Sequence, residues 1–268
     1  MIQFLLYSNG MVVLAIALFT ALNMRLLNAF HPQLIIFNIF CTLFAYNFPR
    51  YVFVKNYSSS STGKRAQWYQ THKSYLKNIA TVSFFGGLLY VGQLNLAQCI
   101  FLCFIAAISI LYVAPSTQVQ SLRRVPYLKP FIIALSWVSL TLVVPYLMDL
   151  NPTMLKSTAL WTLFAGQFII VFITAVLFDL RDVEEDQREG IKTIANQWTL
   201  RQVKFLCYLL IYLRLLCCID HDRVAAELVF SFILTFLVYL THSKRSDYFF
   251  LCIIDGSLVV YPMIILVL

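Results

Sequence analysis

FDLRDVEEDQREGIKT, residues 178–193, decides how this chain is read. Of twelve Asp and Glu residues in 268, six fall between Asp179 and Glu189, and none occurs before Asp149. On a helix at 100° per residue, Asp179, Asp182, Asp186 and Glu189 share one face, within an arc of about 80°. Glu184 and Glu185 point elsewhere. Stacked carboxylates repel, by roughly 0.2–0.5 kcal/mol per exposed neighbouring pair. At the C-terminal end of a helix the dipole opposes them further. A cation would absorb this repulsion. Hard oxygen ligands suit Mg²⁺, which is usually held by one or two carboxylates together with substrate phosphates. The spacing therefore points to Asp179, Asp182 and Asp186 as Mg²⁺ ligands presenting a diphosphate. The other reading of the same residues is a solvated charged cap on the preceding helix.

That preceding segment belongs to a chain built for lipid. The sequence is 60% hydrophobic and 12% charged, with a mean hydropathy of +0.78, whereas a soluble domain averages about 25% charged residues. Crossing the hydrocarbon core takes about 20 apolar residues. About nine such runs are found, near 2–22, 34–54, 78–94, 96–114, 131–148, 158–178, 202–219, 224–241 and 248–267. The third and fourth are joined by a tight hairpin at Gly92–Asn95. Continuous runs of this length exclude a β-barrel, whose strands are short and alternating. The expectation is an all-α polytopic membrane protein forming one integral membrane domain, 1–268. Its N-terminus lacks the basic start and cleavage site of a signal peptide.

Lys and Arg set the orientation. Sixteen of the 20 lie in the loops joining spans two–three, four–five, six–seven and eight–nine, against Arg25, Lys156 and Arg223 on the other face and Arg214 inside span seven. This places the N-terminus in the cytoplasm and the C-terminus outside. The net charge of +8 is a topology signal, and nucleic acid is not expected as a partner. Two cytoplasmic loops, about 50–77 and 179–201, are long enough to carry function. SSSSTGK in the first lacks the leading glycine and the context of a phosphate-binding loop. The cysteines, 41, 99, 103, 207, 217, 218 and 252, all lie in apolar spans and imply no disulfide framework.

The pattern D-x-R-D-x-x-x-D-x-x-x-G-x-x-T, carried by Asp179, Arg181, Asp182, Asp186, Gly190 and Thr193, resembles the second aspartate-rich motif of the UbiA superfamily of intramembrane prenyltransferases. Its placement after the sixth span is similar too. The resemblance implies a nine-helix bundle around a central cavity. It also implies Mg²⁺-dependent transfer of a prenyl group from an isoprenyl diphosphate to a lipophilic acceptor, often an aromatic ring. Asp182 and Asp186 would be catalytic, and a bacterial inner membrane is the expected location.

The first motif of that family, N-x-x-x-D-x-x-x-D after span two, is eroded. Asn47 is kept, but Tyr51 and Lys55 stand at the aspartate positions. Arg50, Lys55 or the Lys64/Arg65 pair could bind the diphosphate directly in place of one metal, the basic residues otherwise being topology anchors; the candidate diphosphate contacts are Asn47, Arg50, Lys55, Arg181 and Lys192. Tyr46, Phe48, Tyr51 and Phe178 are candidates to shield an allylic cation, or are interfacial anchors. Asp255 and Arg214 lie within spans nine and seven, where ionisable groups are costly; they pair with each other or stand apart. Asn38 and Gln167 reach the cavity or join helices. Three functions compete: the prenyltransferase, a non-catalytic protein of the same fold that binds a lipid or partner, and a transporter, which would need acids or broken helices in several spans. Oligomeric state is not readable from the sequence.

Overall fold

The computed structural model describes residues 2–52, 64–113, 122–148, 158–217 and 223–267. Among these the chain is helical, with no strand. In order the helices are α1 (Ile2–Tyr7), α2 (Gly10–Leu26), α3 (Pro32–Val52), α4 (Lys64–Thr71), α5 (Lys73–Val91) and α6 (Leu96–Val113). There follow α7 (Leu128–Tyr146), α8 (Thr158–Arg181), α9 (Val183–Arg188), α10 (Ile194–Gln197), α11 (Leu200–Cys217), α12 (Val224–Leu240) and α13 (Phe249–Val267). α7, α8 and α13 are long and apolar enough to cross a membrane; α2, α6 and α12 contain shorter apolar segments. α3 packs on α2 and α5, α13 on α2, and α8 on α7 and α11.

The surface is more apolar than water would tolerate. Leu89, Phe232 and Phe205 are 78%, 75% and 68% exposed, as suits a surface that faces lipid. Polar groups are turned inward: Thr20, Asn23, Asn38 and Gln167 are fully buried. Their hydrogen bonds have a backbone cause. Pro145 has no N–H to give to the carbonyl of Thr141, and α7 passes through a π-helical turn at Ser139–Val143, where Val144 N–H donates to Ser139 O instead of Leu140 O. Two carbonyls are thereby released. Asn23 Nδ2 donates to Thr141 O at 3.0 Å and Asn38 Nδ2 to Leu140 O at 3.0 Å. Asn23 also exchanges hydrogen bonds with Gln167, and Asn38 donates to Thr20 Oγ1 at 3.0 Å. Asn38 and Gln167 thus join helices, as side-chain amides do in membranes.

One detail departs from the sequence reading, and a second settles an alternative it left open. The first span is not one helix. It breaks at Asn9, whose φ of 62° is left-handed, a conformation that Asn tolerates better than most residues. A Cβ on Gly10 would lie 2.8 Å from Leu5 O, so a glycine there permits the close turn. The second concerns charge. Arg214 pairs with Glu227 of α12, not with Asp255. It also donates to Gly166 O and to Ser231 Oγ, each at 3.3 Å, and Tyr261 donates to Glu227 at 3.2 Å. A buried ion pair holds only when its remaining lone pairs and protons are met in this way.

Candidate functional site

The acidic stretch owes its shape to three local devices. α8 runs a turn past its apolar part, so Asp179 and Arg181 are still helical. Asp182 then stands at the N-cap of α9, but its side chain makes no capping bond. It is held by Arg181 instead, through Nε at 2.7 Å and Nη2 at 2.9 Å. α9 ends in a Schellman motif: Ile191 N–H reaches Asp186 O at 2.8 Å and Gly190 N–H reaches Gln187 O at 3.1 Å. Gly190 takes the required φ of 70°, which an L side chain would occupy under strain. The chain turns back, and Thr193 opens α10 with a capping box shared with Asn196. Gly190 and Thr193 therefore shape the backbone, and the three aspartates carry the charge.

Each aspartate meets a cation of the chain itself. Lys129, at the start of α7, places Nζ 2.8 Å from Asp179 Oδ1 and 2.8 Å from Asp186 Oδ2. Both carboxylates are buried. Arg123 lies 3.4 Å from Asp186 and 3.1 Å from Glu189. Arg65, on α4, lies 3.7 Å from Asp182 and 3.5 Å from Glu185. Burial disfavours the charged form of Asp182, but Arg181 and Arg65 outweigh it and hold this carboxyl well below the usual range. Burial raises Glu185, with Arg65 acting against it. The one-face geometry expected from 100° per residue holds for Asp179 and Asp186, which share a lysine. Asp182 turns aside to Arg181 because the helix breaks at that residue.

The opposite side is built differently. Asn47 is buried and donates to Leu43 O at 2.8 Å and Ser8 O at 3.3 Å. Arg50 donates to Tyr7 O at 2.7 Å and Asn9 Oδ1 at 2.9 Å, and stacks 4.9 Å over Tyr69. Both side chains hold the α1–α2 break. Tyr51 packs against the cluster of Leu6, Trp68 and Leu76, with Lys73 over its ring. Tyr46 accepts from Trp137 Nε1 at 3.2 Å, and Phe178 lies 4.8 Å under Arg181. Phe48 is exposed beside a groove of about 370 Å³ that Phe44, Lys77 and Phe84 also line. Lys192 is exposed, and its carbonyl accepts from Tyr127 N–H at 3.0 Å. Lys55 and the side chain of Lys64 lie outside the described residues. Asp255, buried at the end of a π-helical turn in α13, feels the charges of both Arg181 and Arg50.

Carboxylate oxygens are the donors Mg²⁺ prefers. Among the described residues no three acidic, histidine or cysteine side chains are grouped to hold a metal alone. Lys129 stands between two of the aspartates. Yet Asp179 Oδ2 is buried without a hydrogen-bond partner among the described residues, and the Asp182 side chain is 20% exposed, against 1% for Asp179 and 0% for Asp186. These oxygens fit an ion that arrives with phosphate oxygens completing its shell.

Sequence reasoning missed Lys129 and Arg123, counting them only as orientation charges. The available signal was Lys129's position: a lysine at the mouth of an apolar run, on the face that also carries the acidic loop. It also missed Glu227, the partner of Arg214.

The model of the UbiA prenyltransferase family matches residues 72–264, well over half of the chain. A UbiA homologue from Archaeoglobus fulgidus solved with GPP and Mg²⁺ is similar in fold, at a TM-score of 0.64 and 13% identity, covering 99% of this chain and 100% of that one. The same homologue with DMAPP and Mg²⁺ gives 0.61 and 14%, with 99% and 100% covered. A digeranylgeranylglyceryl phosphate synthase gives 0.56 and 11%, with 99% and 96% covered. No curated protein matches the chain.

Proposed function

The chain belongs to the UbiA prenyltransferase family, and from that premise we propose that it transfers a prenyl group from an isoprenyl diphosphate to a lipophilic acceptor, of aromatic type, within the membrane. The observation that carries this reading is the complete second motif, with Asp179, Asp182 and Asp186 gathered among Arg65, Arg123, Lys129 and Arg181. Transfer breaks the bond from the allylic carbon to diphosphate oxygen and leaves charge on the leaving group. Preorganised cations aimed at such developing charge stabilise it most where water is excluded. Arg181 and Arg65 stand at the more exposed carboxylate, Asp182, and are the cations placed to meet the diphosphate. Mg²⁺ held by Asp182 and the free oxygen of Asp179 would add further charge there. Phe178 and Phe250, under the guanidinium of Arg181, offer ring faces to an allylic cation. The arrangement proposed for the chain is a single multi-pass domain of about nine spans in a bacterial inner membrane, N-terminus cytoplasmic and C-terminus external.

The test is incubation of the purified protein with radiolabelled geranyl diphosphate, with and without Mg²⁺. Release of diphosphate that disappears in Asp182→Asn supports the transferase. One observation favours a second reading, a non-catalytic protein of the same fold: Asn47 and Arg50 are committed to the α1–α2 break. Tight geranyl diphosphate binding without turnover in the presence of acceptors would select it.

A further inference from the structure

Among the described residues, Lys129 is the one side chain paired with two motif aspartates at once. Its ammonium lies 2.8 Å from each of Asp179 Oδ1 and Asp186 Oδ2. The three side chains are 11%, 1% and 0% exposed, so solvent screens this contact little. We propose that Lys129 is a resident cation: it fills the Asp179–Asp186 pair, which therefore takes no divalent ion, and it positions both carboxylates for substrate. The surrounding charges agree with this assignment. Asp179, Asp182, Glu185, Asp186 and Glu189 face Arg65, Arg123, Lys129 and Arg181, a formal balance of one negative charge. Without the lysine the balance is two, concentrated on buried oxygens that can leave the pair only by protonation or by capturing another cation. An anionic diphosphate approaching the loop thus meets a nearly neutral wall. The metal that accompanies it is left with Asp182 and Asp179 Oδ2, the latter without a hydrogen-bond partner among the described residues. The consequence for diphosphate rests on the proposed function; the filling of the pair rests on geometry alone.

Mn²⁺ titration of the full chain in detergent, read by electron paramagnetic resonance without any diphosphate, tests the assignment. The wild type is expected to bind Mn²⁺ no better than Asp186→Asn, because the pair is already filled. Lys129→Met is expected to gain a Mn²⁺ site at least about tenfold tighter, equivalent to about 1.4 kcal/mol, and the gain disappears when Asp186→Asn is added. Lys129→Arg keeps the charge and is expected to gain nothing. Wild-type Mn²⁺ binding that is lost in Asp186→Asn overturns the proposal, as does a folded Lys129→Met with no gain. Where Lys129→Met does not fold, the wild-type comparison with Asp186→Asn decides by itself. Calorimetry with geranyl diphosphate is the separate arm. Absence of its binding beside an intact Mn²⁺ pattern removes the proposed function and leaves the resident cation standing.

Discussion

Two parts of this molecule, the end of α3 and the end of α8, both gather polar and charged side chains but use them differently. At the end of α8 the charged residues face one another across α4, α7, α8 and α9, and their oxygens are only partly satisfied. At the end of α3 the polar residues face inward and hold the broken N-terminal helix through its carbonyls. The difference teaches that the residue types of a binding motif do not by themselves make a site. Arg50 has the charge for diphosphate, but two nearer acceptors, Tyr7 O and Asn9 Oδ1, have claimed it.

The contrast can be broken in several ways. The largest effect is expected at the acidic wall. Asp182→Asn is predicted to lower turnover of geranyl diphosphate by about 10²–10³-fold, the scale on which single electrostatic contributors to a transition state act. A loss below about threefold in a diphosphate-release assay would erase the distinction between the walls. On the other side, Arg50→Ala should cost about 1.5–3 kcal/mol, as hydrogen bonds from a charged donor do. Hydrogen exchange should show α1 opening, while affinity for geranyl diphosphate stays unchanged. Weakened affinity with α1 still protected would move Arg50 to the ligand side.

Gly190→Ala sharpens the comparison at smaller scale. Nothing lies near its would-be Cβ, so the cost is backbone strain at φ 70°, about 1–2 kcal/mol, seen as a lowered melting temperature. The smallest effects belong to pH. The folded pKa of Asp182 is depressed, so its contribution to stability is fully present above the unfolded value of about 4 and is lost as pH falls through the folded value. Asp182→Asn should flatten that acid limb of a stability–pH curve. Glu185 has the opposite sign: its folded pKa is raised, so the folded state is relieved as pH falls. Glu185→Gln should therefore stabilise slightly at neutral pH; destabilisation there would show that the Arg65 pairing outweighs burial.

Much of the bundle was legible because membrane helices announce themselves by length and apolarity. The runs at 158–178, 224–241 and 248–267 correspond to α8, α12 and α13 within a few residues. The break at Asn9 was not legible, since apolar residues flank it on both sides and one left-handed residue leaves no periodicity signal. The π-helical turn of α7 was hidden similarly, although Pro145 marks where a carbonyl must be released. In the candidate site the three aspartates were visible from spacing, and Gly190 and Thr193 from the motif. Their cations were not. Lys129 is 50 residues from Asp179, and no local pattern couples them.

By itself the sequence determined the solvent of the chain, the apolar stretches that become helices, and the stretch where carboxylates collect; all three depend on composition over short windows. Tertiary structure alone decided which cation meets which carboxylate, that Arg50 serves a helix break, and that Arg214 finds Glu227. Ion pairing falls off with distance and strengthens with burial, and for residues far apart in the chain both quantities come into existence only when the helices pack.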